Sequence, residues 1–416
     1  MPWRGNGTAV STTEKSIAAD GLRRVSRSHR GAAGTVGRAA FSLTNAITVL
    51  PGGLERTTLV VRDGLIHRIN AAHAATSRRV DCAGDYLLPG LIELHTDNLE
   101  RHIEPRPGTF WSTDRAIMSH DAELAAAGIT TACDAITLGA DTGEGARELA
   151  YLDAISSIAE AEVQGLLRAQ HLLHVRCELG GAHLRESLQI AVARRTPRMM
   201  SLMEHVPGFG QWRDVAQFRN HYSRRYNLAA EQLDALIARR KTDREQFAAR
   251  NRAAIVDVAG RCGSLLASHD DAFVADVEQA AQSGCTICEF PTSIEAARAA
   301  HQRRMFVIAG APNIVRGGSH TGNVAASALA AEGLIDVLSS DYCPSSLLQA
   351  VFHVAADGVM SLAEAVSMAS SRPARALALH DRGVIEEGRR ADLIRVRNTP
   401  RGPVVVSAWS GGRQVA

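Results

Sequence analysis

Lysine is almost absent from this chain of 416 residues, since Lys15 and Lys241 are the only two among 46 basic residues. Arginine supplies the rest of the positive charge. Such a bias suits the recognition of anions by guanidinium groups, which donate paired hydrogen bonds. A GC-rich genome that favours arginine and alanine codons explains it more simply. In either case, lysine is excluded from almost every position where a chemically active side chain is needed.

Other features that the chain lacks narrow the class of protein. The net charge is only +2, so no global electrostatic field indicates binding to nucleic acid or to a membrane surface. No apolar stretch is long and uninterrupted enough to span a bilayer. Residues 1–38 are rich in arginine but contain no apolar core of a secretory signal, and we expect them to form a disordered basic tail.

The seven cysteines do not form the framework of a short secreted protein. Most of them lie inside apolar runs, which favours free, buried thiols in a reducing compartment. Cys285 and Cys288 have the spacing of a redox or zinc motif, but they lie on a predicted strand and we interpret them as core residues. We therefore predict a cytoplasmic protein.

Short alternating apolar runs at both ends of the chain predict a small β domain. Residues 41–69 contain three such runs, which Pro51-Gly52-Gly53 and Asp63-Gly64 separate, and residues 383–406 have the same texture. Strands at the two ends of a chain commonly pair. We therefore predict a small β-sandwich domain built from residues 39–86 and 383–416.

The segment between these ends alternates strand-like and helix-like stretches, which is the pattern of βαβ units. Eight strands with intervening helices are the number required for an α/β protein of the (β/α)8 TIM-barrel type, which we predict over residues 87–382. The predicted strands are residues 88–95, 129–135, 172–178, 199–205, 263–269, 285–290, 305–310 and 336–341.

Polar side chains end several of these strands, on the side where a (β/α)8 barrel places its active site. His95 and Asp97 are two residues apart and therefore lie on one face of a strand. By itself, this pair would be better explained as part of a polar surface loop. Imidazole and carboxylate groups that recur at several strand ends instead predict a site for a divalent metal. The recurring residues are Glu178, His205, His269 and Asp341.

Two of these candidate ligands have alternative interpretations. Glu178 could instead form a salt bridge with Arg176 or Arg185, which are close in sequence. His205 could instead be a helix-start residue before Pro207 and Gly208, and His174, on the same predicted strand as Glu178, competes with it as a ligand.

The loop after the seventh predicted strand suits phosphate, which barrels often bind between strands 7 and 8 through main-chain amides. Arg316 offers a forked donor, and the adjacent glycines permit close approach of the main chain. A glycine-rich segment alone would more often be an ordinary turn. The predicted phosphate-binding residues are Arg316, Gly317, Gly318, Ser319 and His320, with Arg101 and His102 at the other end of a polyphosphate.

One long interruption of the barrel pattern covers about residues 206–262. An insertion on the functional face would serve as a lid or as part of the substrate pocket. The equally weighted alternative is a solvated helical hairpin used in packing or in dimerisation, and in the second case the chain would form a homodimer.

The set of strand-end ligands and the β domain built from both chain ends resemble the amidohydrolase superfamily over roughly residues 41–416. Three segments are similar to one branch of it, the diphosphatases of the carbon–phosphorus lyase pathway. These segments are His95 to Glu100 (HTDNLE), residues 310–323 (GAPNIVRGGSHTGN) and residues 339–346 (SSDYCPSS). The resemblance implies a metal-dependent hydrolase that releases diphosphate from an anionic small molecule, a ribosyl 5-triphosphate, in phosphonate catabolism.

The resemblance also implies roles for the ligands. A carboxylated lysine or a glutamate often bridges two metals in this superfamily, and because no lysine lies at a strand end, Glu178 is the implied bridge. Asp341 would bind one metal and act as the catalytic base, and Asp270 or Asp271 would accept a hydrogen bond from the ring of His269. One or two zinc or manganese ions are implied. The implied metal ligands are His95, Asp97, Glu178, His205, His269 and Asp341.

Two other functions remain open at this point. A C–N hydrolase of the deacetylase, cyclic-amidase or deaminase type would use the same scaffold, although the phosphate-suited loop argues against it. A non-catalytic scaffold would be expected to have lost some ligand types, and all of them are present here. Bound metal in the purified protein would distinguish the last possibility.

Overall fold

Strands from both chain ends and strands from the middle of the chain form two separate sheets in the computed structural model. The structure describes residues 40–71, 78–140, 145–226, 228–319, 322–358 and 360–416. The strands are β1 (Phe41–Leu50), β2 (Gly53–Arg62), β3 (Leu65–Ile69), β4 (Arg78–Asp81), β5 (Tyr86–Pro89), β6 (Leu91–Thr96), β7 (Ile129–Leu138), β8 (Gln170–Glu178), β9 (Met199–Met203), β10 (Leu265–His269), β11 (Ile287–Glu289), β12 (Phe306–Gly310), β13 (Val337–Ser339), β14 (Leu393–Thr399), β15 (Gly402–Ser410) and β16 (Arg413–Gln414).

Strands β6 to β13 form a nearly closed (β/α)8 barrel, which confirms the predicted fold class. They follow chain order around the sheet and pair in parallel. An isolated bridge between Thr96 and Asp341 brings the last strand beside the first. Strands β6 and β9 are buried along their whole length, as expected for parallel strands that are covered on both faces.

Helices pack around the barrel and bury its outer face. In the part of the chain that the structure describes, no helix is both long and apolar enough to cross a membrane. The helices are α1 (Asn98–Ile103), α2 (Thr113–Ala126), α3 (Gly145–Val163), α4 (Leu184–Arg194), α5 (Val215–Tyr226), α6 (Ala230–Cys262), α7 (Val274–Gln282), α8 (Ile294–Gln302), α9 (Ala311–Arg316), α10 (Ala326–Ala331), α11 (Ser346–Ala356), α12 (Leu362–Ser367) and α13 (Ser371–Ala376).

The first predicted strand, residues 88–95, is two strands in the structure. β5 belongs to the terminal sheet, where it pairs with β14, whereas β6 begins the barrel. Gly90 separates them, and its N–H donates to the main-chain oxygen of Asp392 at 2.8 Å. The hydrophobic pattern did not show this break because both strands are buried. The other seven predicted strands coincide with β7 to β13 to within a few residues.

The terminal sheet combines strands from the two ends of the chain. Its order is β16-β15-β14-β5-β1-β2-β3, with β4 beside β1. The junction lies where β14 pairs with β5, with Ile394 opposite Leu88. Phe41 and Trp409, from opposite ends of the chain, stack at 6.1 Å between ring centroids in its core. The predicted basic tail, residues 1–38, lies outside the described residues.

The predicted insertion at about residues 206–262 contains a short 3-10 turn, Gly210–Trp212, followed by α5 and α6. Trp212, Phe218 and Tyr222 form a small apolar cluster within it. The insertion leaves the barrel after its fourth strand, yet it reaches the loop that follows the seventh. A Cβ atom added to Gly322 of that loop would lie 3.3 Å from Nε2 of Gln217. α5 therefore extends across part of the barrel mouth.

Candidate metal centre and active-site cavity

The ends of β9 and β10 bring two histidines and an aspartate together. His205 Nε2 and His269 Nε2 lie 3.5 and 3.4 Å from the same oxygen, Asp270 Oδ2. Asp270 is buried at a φ of 57°, and among the described residues this oxygen has no partner with hydrogen-bond geometry. A buried carboxylate oxygen without a partner is destabilising. The three atoms therefore fit a divalent metal, because both imidazole and carboxylate groups are common ligands of such ions.

Two further carboxylates hold the opposite nitrogens of both rings. His269 Nδ1 is 3.0 Å from Glu289 Oε2, and His205 Nδ1 is 3.5 Å from Glu178 Oε2. The main-chain N–H of His205 also donates to both oxygens of Glu178, at 3.2 and 3.1 Å. Carboxylates commonly orient metal-binding histidines in this way, so that the other ring nitrogen faces the ion. In this geometry Glu178 orients His205, and its bridging role between two metals stays a prediction.

Glu289 is a site residue that the sequence analysis missed. It ends β11 and is fully buried. Its two oxygens lie 3.0 Å from His95 Nδ1 and from His269 Nδ1, respectively. The hydroxyl of Ser201 donates to it at 2.7 Å. Burial opposes its ionisation, but the rings of His95 and His174 lower the pKa of Glu289 well below its usual value. One buried carboxylate therefore contacts both His95 and His269 and connects the parts of the candidate site to which they belong.

His95, His174 and Glu289 form a second tight grouping, in which one ligand atom of each residue lies within 4.8 Å of the others. Burial lowers the pKa of His174 to about 3, which keeps this ring neutral. Its Nε2 is 2.5 Å from the Ser201 hydroxyl. Its Nδ1 is buried and has no hydrogen-bond partner among the described residues. His174 thus lies beside the first grouping and does not replace His205 in it.

Asp97 and Asp341 form a separate acidic pair near Arg176. Arg176 Nη1 is 3.4 Å from Asp97 Oδ2, and the Thr96 hydroxyl donates to the main-chain oxygen of Asp341 at 2.8 Å. Burial and then the charge of Asp97 raise the pKa of Asp341 well above its usual value. Of the imidazole and carboxylate groupings tight enough for one ion in the described chain, none contains either aspartate. The structure therefore does not place His95, Asp97 and Asp341 around one ion.

A third grouping lies outside the cavity, between α2, β7 and β8. Asp134 accepts from His120 Nε2 and from His171 Nδ1, both at 2.8 Å. His171 Nε2 lies 3.2 Å from Asp121 Oδ1, and the Asn98 amide donates to His120 Nδ1 at 3.0 Å. Every ring nitrogen in this grouping already has a partner. We therefore interpret it as a buried hydrogen-bond network and exclude it as a metal site.

A cavity of about 580 Å³ opens at the carboxyl ends of the barrel strands. Its wall includes His205, His269, Asp270, Asp97 and Asp341. His205 and His269, the predicted ligands that converge, therefore line the same cavity as the acidic pair Asp97 and Asp341. Such a volume is typical of small-molecule sites.

The two predicted anion-binding residues on α1 are occupied by a local partner. Arg101 lies on the cavity wall, but its Nη2 donates to both oxygens of Glu123 at 2.7 and 2.8 Å. His102 Nε2 is 2.8 Å from the same carboxylate. Because Glu123 already accepts hydrogen bonds from both side chains, Arg101 and His102 have less positive charge available to bind an anionic ligand. The geometry thus gives no support to His102 as a substrate ligand and weakens the case for Arg101.

The predicted phosphate loop starts with the short helix α9 in the structure. Arg316 is its last residue, and Gly317 ends it at a φ of 76°, a backbone conformation that glycine adopts readily. Arg316, Gly318 and Ser319 line the cavity, and Gly317 does not. His320 lies outside the described residues. No carboxylate pairs with Arg316 within the described part of the chain, so its guanidinium group is available to an anionic ligand.

The insertion completes the cavity wall with Gln211, Trp212, His221 and Tyr222. Arg240 of α6 fixes this wall to the metal centre, because its Nη1 donates to the main-chain oxygen of His205 at 2.9 Å and to the Tyr222 hydroxyl at 3.0 Å. Its guanidinium also lies 5.0 Å from the centroid of the Tyr222 ring. The insertion is therefore part of the site.

The residues that sequence reasoning missed or left as alternatives carried a usable signal. Glu289 is the next-to-last residue of the predicted strand 285–290, and Glu178 ends its own predicted strand, so the rule of polar strand ends applied to both. Arg176 lies midway between His174 and Glu178 on β8, so the period of two places all three on one face. Which of them contacts which carboxylate depends on side-chain rotamers, which the sequence does not give.

The barrel, the strand-end imidazoles and carboxylates, and the terminal sheet together define a metal-dependent hydrolase of the amidohydrolase family, to which this chain belongs. The family model described as Amidohydrolase family matches residues 242–415. A curated relative, the alpha-D-ribose 1-methylphosphonate 5-triphosphate diphosphatase of Escherichia coli (strain K12), is 41% identical over 376 residues. The match covers 90% of this chain and 99% of that protein.

Solved structures share the fold at much lower identity. The 5-methylcytosine deaminase from Klebsiella pneumoniae, liganded with phosphonocytosine, matches with a TM-score of 0.61 at 15% identity over 90% of this chain and 98% of that chain. The N-acetylglucosamine-6-phosphate deacetylase from Pasteurella multocida matches with a TM-score of 0.57 at 13% identity, over 90% and 99% of the two chains. These similarities show the barrel and carry no conclusion about the reaction.

Proposed function

We propose that this protein hydrolyses a phosphoanhydride bond and releases diphosphate from alpha-D-ribose 1-methylphosphonate 5-triphosphate. The observation that carries the proposal is the convergence of His205 Nε2, His269 Nε2 and Asp270 Oδ2 in a cavity that is also lined by Arg316, which has no carboxylate partner among the described residues. The similarity to the E. coli diphosphatase, which extends over 99% of that protein, supports the choice of substrate. The wall formed by Arg316, Gly318 and Ser319 supports a phosphate-containing ligand.

The residues that would hold a divalent metal are His205, His269 and Asp270, with Asp97 and Asp341 as the candidates for a second ion. Two imidazoles and a carboxylate suit zinc or manganese, and we propose one or two such ions. When bound, the metal supplies Lewis acidity toward a phosphoryl oxygen and makes water more acidic. All other contributions come from the side chains of the cavity.

Asp341 is the proposed general base of the reaction. Burial and the neighbouring charge of Asp97 raise its pKa, so that it can hold the proton that the attacking water gives up. Arg316 is proposed to donate to the diphosphate as it departs, because a guanidinium group stabilises charge that grows in the transition state. Arg176 offsets part of the negative charge of the acidic pair through Asp97. The seven free cysteines suit a reducing compartment, and we propose that the protein acts in the cytoplasm.

The deciding experiment offers the purified protein two kinds of substrate side by side. The first is alpha-D-ribose 1-methylphosphonate 5-triphosphate, and the second is a panel of N-acyl amines and cyclic amides. We expect diphosphate release from the first, dependence on added metal, and no amine release from the panel. Amine release without diphosphate release would contradict the proposal and support the C–N hydrolase. The variant His205→Asn, which removes one metal-binding nitrogen, should lose the activity in either case.

A further inference from the structure

A small recess opens off the active-site cavity between α1, the end of β7 and α3. Its volume is about 60 Å³, and it shares Glu100, Thr137, Arg147 and Tyr151 with the main cavity. Glu148 forms its far wall and accepts from the N–H of Gly139 at 3.3 Å. No function described above uses this recess. Five of its six lining residues have a polar or charged group, so the recess offers hydrogen-bonding partners as well as apolar surface.

The carboxyl group of Glu100 is the central acceptor of the recess. Its Oε1 atom is buried and has no hydrogen-bond partner among the described residues. The hydroxyl groups of Thr137 and Tyr151 face the same carboxyl group. A buried acceptor without a partner is destabilising unless a ligand supplies a donor. The recess therefore presents an acceptor and two hydroxyl groups to whatever occupies this side of the cavity.

The charge of the recess excludes a phosphate or phosphonate group from it. The recess is lined by two carboxyl groups, those of Glu100 and Glu148, and by a single guanidinium, that of Arg147. Arg147 is already paired with Glu104, since its Nε donates to Oε2 of Glu104 at 2.8 Å and its Nη2 contacts the same oxygen. Burial and then the charge of Asp97 disfavour negative charge at this position, which is why they raise the pKa of Glu100 above its usual value, and the same two effects would disfavour a phosphate or phosphonate anion there.

A neutral group that donates hydrogen bonds fits the recess instead. Vicinal hydroxyls of a sugar are such donors, and a buried carboxylate commonly accepts from ribose hydroxyls in nucleotide-binding proteins. Arg316 lies on the segment after the seventh barrel strand, whereas Thr137 is the next-to-last residue of the second, so the two subsites are on different sides of the mouth. The available guanidinium and the carboxyl-rich recess would thus attract opposite ends of one substrate.

We propose that the recess lined by Glu100, Thr137 and Tyr151 binds the 2- and 3-hydroxyls of the substrate's ribose. This inference rests on the proposed function, because it assigns the sugar end of that substrate. It orients the molecule, with the ribose beside α1 and α3 and the departing diphosphate beside Arg316. Glu100 is then the residue that distinguishes a ribosyl triphosphate from a bare polyphosphate.

The test compares binding with turnover for two ligands. These are alpha-D-ribose 1-methylphosphonate 5-triphosphate and its 2,3-dideoxy analogue, which lacks both hydroxyls. We expect the wild-type protein, titrated in metal-free buffer by calorimetry, to bind the first about 10- to 100-fold more tightly, the range that the net contribution of two hydrogen bonds gives. Glu100→Ala should abolish this preference. Glu100→Gln should retain part of it, because its amide oxygen still accepts.

A second variant and a control separate a local effect from a loss of structure. Tyr151→Phe removes only the hydroxyl and should lower the preference several-fold while the melting temperature stays close to that of the wild type. Glu160→Ala, an exposed position on the same helix α3, should leave the preference unchanged. Equal binding of the two ligands by the wild type would overturn the inference, and so would an unchanged preference in Glu100→Ala.

The proposed function fails separately, through a different measurement. Absence of diphosphate release by the metal-loaded wild type would refute the proposed reaction. The binding preference would still decide whether the recess recognises ribose hydroxyls. Inorganic tripolyphosphate serves as a third ligand, since it lacks the sugar altogether. Its hydrolysis, if the reaction is as proposed, should respond to Glu100→Ala by a smaller factor than hydrolysis of the ribosyl substrate. An equal loss for both would show that Glu100 acts in the chemistry and not in recognition of the sugar.

Discussion

At the scale of single residues, Glu289 determines how two of the candidate site's histidines are oriented. Its oxygens hold His95 and His269 by the Nδ1 atom, and thereby turn the Nε2 atom of His269 toward Asp270. Because both oxygens are fully used and the residue is completely buried, few other side chains can replace it. The carboxylate is therefore as important to metal binding as the ligands are, although it need not contact the ion.

Glu289→Gln tests this role with almost no change in volume. The amide can accept through one oxygen only, so one histidine must lose its partner or change its tautomer. We expect metal affinity and turnover to fall by about 10- to 100-fold, the usual effect of losing such an orienting partner. Elemental analysis after dialysis against a fixed metal concentration measures the first quantity. Glu295→Gln, an exposed neighbour at the start of α8, should keep its metal, and equal metal content in both variants would contradict the assignment.

Arg316 tests the phosphate side of the cavity. The guanidinium has no carboxylate partner in the described structure and lines the cavity, so its removal should leave metal content unchanged. Arg316→Ala should lower turnover by about 10²-fold or more, the effect typical of losing one donor to developing charge. Arg316→Lys should recover only part of this loss, because an ammonium group lacks the forked geometry. Unaltered hydrolysis in Arg316→Ala would show that the loop is structural.

His171 gives the protein a pH-dependent stability that is independent of the active site. Burial opposes its protonation, but the charges of Asp134 and Asp121 raise the pKa of His171 to about 10. Because the folded pKa lies above the unfolded value of 6.5, the stabilising contribution is complete below pH 6.5 and is lost as the pH rises toward 10. We expect the free energy of unfolding, measured with urea, to decrease over this interval. In His171→Gln this part of the decrease should be absent, and an identical slope in both proteins would refute the assignment.

At the scale of elements, the strands were predictable and one boundary was not. The eight barrel strands are short apolar runs between helical stretches, and the sequence places them within a few residues of β6 to β13. The exception is the first, where β5 and β6 read as one run because the chain passes from one buried sheet directly into another. A hydrophobic pattern reports burial, and it does not report which sheet buries the strand.

The candidate site was predictable to the level of strand ends but not of contacts. Six strand-end residues were expected to hold metal, and the structure gathers His205 and His269 with Asp270 while it leaves Asp97 and Asp341 around Arg176. Two facts account for the difference. The histidines are oriented by Glu289, which lies at a strand end like the predicted ligands but was not among them, and an arginine that points into the barrel among carboxylates cannot be told from an outward one without its rotamer.

The insertion formed by α5 and α6 is an element whose attachment can be measured. Arg240 connects it to the main chain of His205 and to Tyr222, so Arg240→Ala should loosen α5 and lower turnover several-fold. Hydrogen exchange read by mass spectrometry should show faster exchange in α5 and unchanged exchange in the barrel strands. Arg261→Ala, an exposed position at the far end of α6, is the matched control. Equal exchange in both variants would indicate that the insertion is held by its apolar cluster alone.

At the scale of the whole molecule, the closed barrel and the terminal sheet follow from patterns that extend over hundreds of residues. Strands of the terminal sheet lie more than 300 residues apart, yet Phe41 and Trp409 meet in its core, and Asp85 accepts from Arg395 at 2.6 Å and from Arg397 at 3.0 Å. The two chain ends are therefore tied together beside the barrel. This fold holds in place the strand ends that carry the candidate ligands. Because the ligands converge only in the folded protein, the stability of the molecule and the occupancy of its metal centre should be coupled.

Metal removal tests this coupling. Without an ion, the Asp270 oxygen that has no partner in the described part of the chain stays buried and Asp97 stays beside Asp341, and both features destabilise the folded state. An ion that binds only the folded protein stabilises it by about 2.7 kcal/mol at a concentration of 100 times its Kd. We expect a chelator to lower the melting temperature in calorimetry, and zinc or manganese to restore it with a rank order that identifies the preferred ion. His205→Asn should melt at a temperature that depends far less on added metal, because it lacks one of the three converging atoms. If neither the chelator nor the metals changed the melting temperature of the wild type, the metal centre as assigned would be disproved.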